Sequence, residues 1–158
     1  FGFAVVGYLL ILMLDLAIAL AAYVILRPIS KVLASLTAVF RLLYTAIMVI
    51  GVFSLVFQFI GVQRYGNLKL IGYIFFTVHI LMLGYSVLKS GYVPKALGIL
   101  LIAAFFSYIV LLYGQSIVPE QVLPIFVVPA AIAELFLGIW LLWKGGKVSE
   151  VQKVDMAT

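Results

Sequence analysis

Cysteine is absent from this chain, and histidine occurs once. The first absence excludes disulfides, iron–sulfur clusters and thiolate chemistry; the second excludes a haem held by two histidines of this chain. Charge is scarce as well. Only 9% of the 158 residues are Asp, Glu, Lys or Arg, where soluble domains carry about a quarter. No nucleotide-binding motif is present, and neither is the acid–histidine spacing of di-iron bundles. In place of all this, 67% of the residues are hydrophobic and the mean hydropathy is +1.35. A water-soluble fold of this size cannot hide so much apolar surface, so the solvent is lipid. The net charge of +5 is scattered through the polar connections. That distribution reads as membrane orientation, not as a nucleic-acid surface.

A spanning helix needs about 20 apolar residues at a rise of about 1.5 Å each. Five stretches satisfy this, which predicts an all-α, polytopic transmembrane bundle over residues 1–143 with a short polar cytoplasmic tail over 144–158. The first span runs from Phe1 to Leu26. It lacks the basic start and small-residue cleavage pattern of a signal peptide. Pro28, in "RPIS", ends it because proline cannot continue the hydrogen-bond ladder. The second span runs from Lys31 to Ile60 with Ser30 as its N-cap. "GVQRYGN" reads as a turn, and the third span follows from Leu68 to Leu88. After "KSGYVPK", Pro94 opens the fourth, which ends near Tyr113. The fifth runs from Val122 to Trp143, and Pro129 inside it either bends it and frees a carbonyl near Glu134 or is a tolerated membrane proline. No connection is long enough to form a soluble domain, so whatever this protein does happens in or at the bilayer.

Lysine and arginine fall unevenly between alternate connections. Arg27, Lys31, Lys89, Lys95, Lys144, Lys147 and Lys153 belong to one side, Arg64 and Lys69 to the other. The positive-inside rule then predicts a multi-pass cell-membrane protein with a cytoplasmic C-terminus and an external Phe1 end. Tyr23, Trp140 and Trp143 fit an interfacial belt on the basic side.

Four of the five spans carry an ionisable residue deep inside: Asp15, Arg41, His79 and Glu134. Asp15 lies twelve positions from Arg27; the other three lie ten positions from Lys31, Lys89 and Lys144 respectively. At about 1.5 Å per residue all four sit roughly 15–18 Å below the basic anchors, in one layer near the midplane. Each also shares its helix face with small residues: Ala19 and Ala22, Ala34 and Ala38, Gly72 and Ser86, Ala130 and Gly138. Small residues mark close helix approach in membranes, so the charged stripes are expected to be the packed stripes.

Magnitudes sharpen the expectation. One central charge costs about 2.5–3.5 kcal/mol on insertion scales, and each Leu, Ile, Phe or Val returns about 0.3–0.6 kcal/mol. A rich span tolerates one such charge, and the cost falls where opposite charges meet inside the bundle. Asp15 is therefore expected to pair with Arg41, with Glu134 and His79 joining or neighbouring the pair. Tyr44, one turn from Arg41, is a candidate donor to a carboxylate. The intramembrane polar layer thus comprises Asp15, Arg41, Tyr44, His79 and Glu134. Two readings stay open: electrostatic glue that fixes helix register, or a path for a proton, ion or substrate.

The segments "LMLDLAIALAAYVILRPISK" and "LTAVFRLLYTAIMVIG", followed by "MLGYSVLKSGYVPKALGILLI" and "LPIFVVPAAIAELFLGIWLLWKG", resemble in order and spacing the prokaryotic membrane family known as domain of unknown function 4386. The resemblance covers nearly the whole chain. It implies six helices in the full-length protein with an inner N-terminus, hence one helix before Phe1, in keeping with the missing initiator methionine. Members often carry an acidic residue three positions after the arginine of the helix matching the second span. Tyr44 stands there in this chain. The resemblance implies no activity.

The leading functional expectation is a non-enzymatic helix-bundle subunit, an accessory protein packing against other membrane proteins. Ala103, Ala104 and Ser107 of the fourth span are its candidate contact face. The alternative is a small proton-coupled carrier using the Asp15, Arg41, His79 and Glu134 layer. Ser86 lies seven positions after His79, too far for a nucleophile–base pair, so no catalytic residue is assigned. No cofactor, metal or soluble small-molecule substrate is expected. The expected partners are the lipid bilayer and other membrane-protein subunits.

Overall fold

The computed structural model describes residues 2–114, 118–119 and 121–155. Among these it is all helix, without strands. Five helices follow one another: α1 (Gly2–Leu26), α2 (Lys31–Val56), α3 (Val62–Ser90), α4 (Lys95–Tyr113) and α5 (Leu123–Asp155). All five contain a stretch long and apolar enough to cross a membrane. The chain is a multi-pass membrane-type bundle.

Local chemistry sets several of the helix ends. Ser30 adopts an extended conformation and its hydroxyl accepts from the Leu33 N–H at 3.3 Å, which caps α2. Gly91 ends α3 at a φ of 72°, a left-handed conformation that a side chain would strain. Beside it, the Ser90 hydroxyl donates to the Val87 carbonyl at 2.8 Å and accepts from the Val93 N–H at 3.1 Å. The Tyr92 hydroxyl donates to the Ile25 carbonyl. This bond fastens the α3–α4 turn to the end of α1, so two of the basic connections lie together on one side of the bundle.

Four boundaries differ from the sequence expectation, the first being the end of α2, at Val56 and not Ile60. "GVQRYGN" is not a turn: α3 begins at Val62, and the chain reverses over residues 57–61 with Gln58 at a φ of 59°. Tertiary packing overrides the low helix propensity of Gly66 here. Helical spacing lets Tyr65 lie on the bare backbone of Gly51, where an added Cβ would come within 3.2 Å of its ring. Pro94 caps α4 instead of lying in its first turn. The α5 backbone stays helical past Trp143 to Asp155. Pro129 sits inside α5, but the carbonyl its missing N–H leaves free belongs to Ile125, more than two turns from Glu134.

Each helix packs chiefly on its neighbours in the chain, while α1 and α5 touch only lightly. The core gathers Leu12, Ala34, Met48, Phe76, Ile80, Leu83, Leu101 and Ala133. The α3–α4 contact is close at its glycines. A Cβ at Gly98 would stand 2.7 Å from Leu88 and 3.2 Å from the Gly84 carbonyl. Leucine, isoleucine, valine and phenylalanine side chains cover the outer surface, which suits acyl chains. The bundle is thus a row of helices curled round on itself, with an incomplete seam between its first and last members.

A candidate binding chamber at the polar layer

The seam opens onto a chamber of about 780 Å³. α1 supplies one wall with Ile11, Leu14, Ala17, Ile18 and Ala21; α5 supplies the other from Val127 to Leu142. Tyr108 and Leu111 of α4 stand behind. The rim residues Leu14, Leu135, Ile139 and Leu142 are exposed on the lipid side. Apart from Asp15, Arg41, Tyr108 and Glu134 the lining is hydrocarbon or glycine. Drug-sized ligands occupy cavities of about 300–1,000 Å³ with the same mixture of apolar wall and few polar groups.

Asp15 shares the buried face of α1 with Leu12, Ala19 and Ala22. Arg41 lies on the buried face of α2 with Ala34, Thr37, Thr45 and Met48. The small residues bring the two backbones close, and Arg41 Nη2 donates to Asp15 Oδ1 in a buried ion pair. The Arg41 guanidinium also lies over the Phe76 ring, 4.7 Å from its centroid. Its Nε has no hydrogen-bond partner. The pair satisfies each charge with the other, which is what makes it tolerable in a low-dielectric interior.

Glu134 does not bond to that pair. It lines the same chamber, and Tyr108 donates to its Oε1 at 2.6 Å. Tyr108 is the chamber residue that sequence reasoning missed, because α4 holds no Asp, Glu, His, Lys or Arg beyond Lys95 and so offered no reason to look there. A signal was available. Tyr108 lies thirteen positions from Lys95, close to the depth of the charged layer, and a buried carboxylate needs a donor at that depth.

Two residues assigned to the layer lie outside the chamber. His79 is fully enclosed between α2 and α3, and its Nδ1 is 2.7 Å from the Thr37 carbonyl. It neighbours Arg41 through the intervening Phe76 ring, 5.9 Å from its own, without reaching a carboxylate. Its Nε2 and the Thr37 hydroxyl lack partners. Tyr44 makes no hydrogen bond to a carboxylate either. Its ring packs on α3 instead, 4.7 Å from Phe76 and 6.0 Å from Tyr73. Ser86 is spent on its own helix, where its hydroxyl donates to the Met82 carbonyl at 2.7 Å. In α4, Ala104 and Ser107 are buried within the bundle while Ala103 faces out.

Among the described residues no three of His, Asp or Glu converge as metal ligands do. The arrangement can neutralise, orient and bind. Its chemical capacity rests on two carboxylates, one guanidinium and one phenol around an apolar space.

The sequence model of the family described as "Domain of unknown function (DUF4386)" matches residues 1–145. An "Uncharacterized protein" from the archaeon Archaeoglobus fulgidus is 36% identical over 151 residues, covering 94% of this chain and 88% of the relative. No solved structure matches.

Proposed function

This chain belongs to the family described as domain of unknown function (DUF4386), whose description assigns no chemistry, and we propose a function from the site itself: a non-enzymatic binding bundle that receives an occupant from the bilayer between α1 and α5 and fixes its polar end near the midplane. One observation carries this reading, the chamber of about 780 Å³ with Asp15, Arg41, Tyr108 and Glu134 as its polar minority. Ionisable groups inside a membrane face bundle interiors or cavities and mark binding or transport routes. The proton-coupled carrier is a narrower form of the same proposal. It would rest on Asp15, Arg41 and Glu134 alone, because His79 is sealed from the chamber.

The accessory-subunit reading has its own support. Ala17, Ala21, Ala131 and Gly138 line the seam, and small residues of this kind admit a neighbouring transmembrane helix. In that version the occupant is a helix of another membrane protein. The proposed orientation puts the basic side in the cytoplasm, on the strength of the lysine and arginine asymmetry.

One experiment separates the readings. A photo-reactive residue replaces Ile139 at the rim, or Ile99 on the far side of α4 as control, and native membranes are irradiated. An adduct of small-molecule mass at position 139 only supports the binding bundle. An adduct of protein mass there supports the subunit. Identical phospholipid labelling at both positions overturns both.

A further inference from the structure

The charges around the chamber do not balance. Asp15, Arg41 and Glu134 are its only ionisable lining groups apart from the Tyr108 phenol. Asp15 and Arg41 are committed to each other. Arg41 is only 2% exposed, its guanidinium held between Asp15 and the face of Phe76. Among the described residues Glu134 forms no salt bridge, and Arg41, the nearby cation, is held by Asp15. Among the described residues the hydrogen bond to Glu134 comes from the neutral hydroxyl of Tyr108, and the Glu134 side chain is only partly enclosed. An ionised carboxylate facing hydrocarbon is costly, so it holds a proton or waits for a positive charge.

We infer that the chamber is a binding site for a lipophilic organic cation, whose charged centre meets Glu134 and whose apolar body fills the space between α1 and α5. The inference rests on the binding reading above and names the chemical class of the occupant. The positive charge answers the chamber carboxylate that has no ion-pair partner among the described residues. The apolar body answers the lining, and a molecule dissolved in the bilayer reaches the site through the seam without crossing water. The Tyr108 ring stands at the same wall, and an aromatic ring beside a carboxylate favours a cation further. Room at the charge comes from α5 itself. Ala130, Ala131 and Gly138 flank Glu134 within one turn, and a Cβ added at Gly138 would meet nothing within 4 Å. An anion would face the opposite situation. Arg41 is already paired, and Glu134 repels it.

The test uses the full chain in phospholipid nanodiscs and three probes of one shape. Tetraphenylphosphonium is cationic, tetraphenylborate anionic and tetraphenylsilane neutral. Equilibrium binding is read against empty discs. The expected result is saturable phosphonium binding at one per chain, with no saturable borate component. Glu134→Gln should weaken phosphonium binding at least tenfold while Glu134→Asp retains it, with helicity and monodispersity checked for both. Gly138→Leu provides a second route should Glu134→Gln misfold, since its side chain projects into open space and should abolish saturable binding. Equal saturable binding of the neutral probe, stronger borate binding, or a Glu134→Gln variant that binds phosphonium normally would each overturn the cation inference and leave the chamber reading standing. Failure of all three probes to saturate would overturn both.

Discussion

Asp15 and Arg41 stand twenty-six positions apart on adjacent helices and spend their opposite charges on each other, each almost closed to the outside. Removing one partner strands the other. Arg41→Met should destabilise the bundle by about 3–5 kcal/mol, the usual cost of an uncompensated buried charge. The double variant Asp15→Leu with Arg41→Met should recover most of that loss. Reversible unfolding in mixed detergent, run as a double-mutant cycle, reads the coupling. Additive losses would show that the pair is not coupled.

Tyr108→Phe removes the hydroxyl that Glu134 Oε1 accepts from. The variant keeps the ring and its edge contact with Phe76, 5.1 Å between centroids, so the loss isolates the hydrogen bond. About 1–3 kcal/mol of stability should go with it. Combining it with Glu134→Leu should cancel part of the loss, as unfolding of the four chains of the cycle would reveal.

Gly98 of α4 leaves no room for a Cβ against α3. Gly98→Ala places a methyl against Leu88 and near the Gly84 carbonyl, and overpacking of this kind costs about 1–3 kcal/mol. Gly138→Ala, where the same methyl meets open space, should cost far less. Thermal denaturation of the two variants side by side gives the comparison.

The cysteine-free sequence makes topology simple to measure. Lys89→Cys, in the last turn of α3, should resist a membrane-impermeant maleimide in intact cells and react after permeabilisation. Gln63→Cys, at the other end of the same helix, should react in intact cells. The opposite pattern would invert the proposed orientation.

The charged pair was legible in the sequence because both members carry an insertion cost that had to be cancelled. Their depths matched, and each lay on a stripe of small residues. The tyrosines were not legible in that way. A phenol costs little to insert, nine of them are spread along the chain, and only the rotation of each helix decides which meets a carboxylate. That is why Tyr44 reads as a candidate donor to a carboxylate although its ring packs on Phe76, and why nothing in the sequence singles out Tyr108. The early start of α3 escaped for a related reason. Gly66 and the polar residues around it look like a turn until Tyr65 finds Gly51 on the neighbouring helix. The chamber itself depends on how far α1 and α5 stand apart, and no spacing within either helix encodes that distance.

The two walls of that space are secured unequally. α1 is fastened near both extremities, by the Tyr92 bond to Ile25 on one side and by Tyr8 against Tyr65 on the other. The link between Glu134 and Tyr108 is the polar tie at mid-height of α5, and it belongs to the site. An occupant that drew Glu134 away from that phenol would therefore unlatch the wall it rests on. Filling the cleft and loosening the last helix would then be a single event.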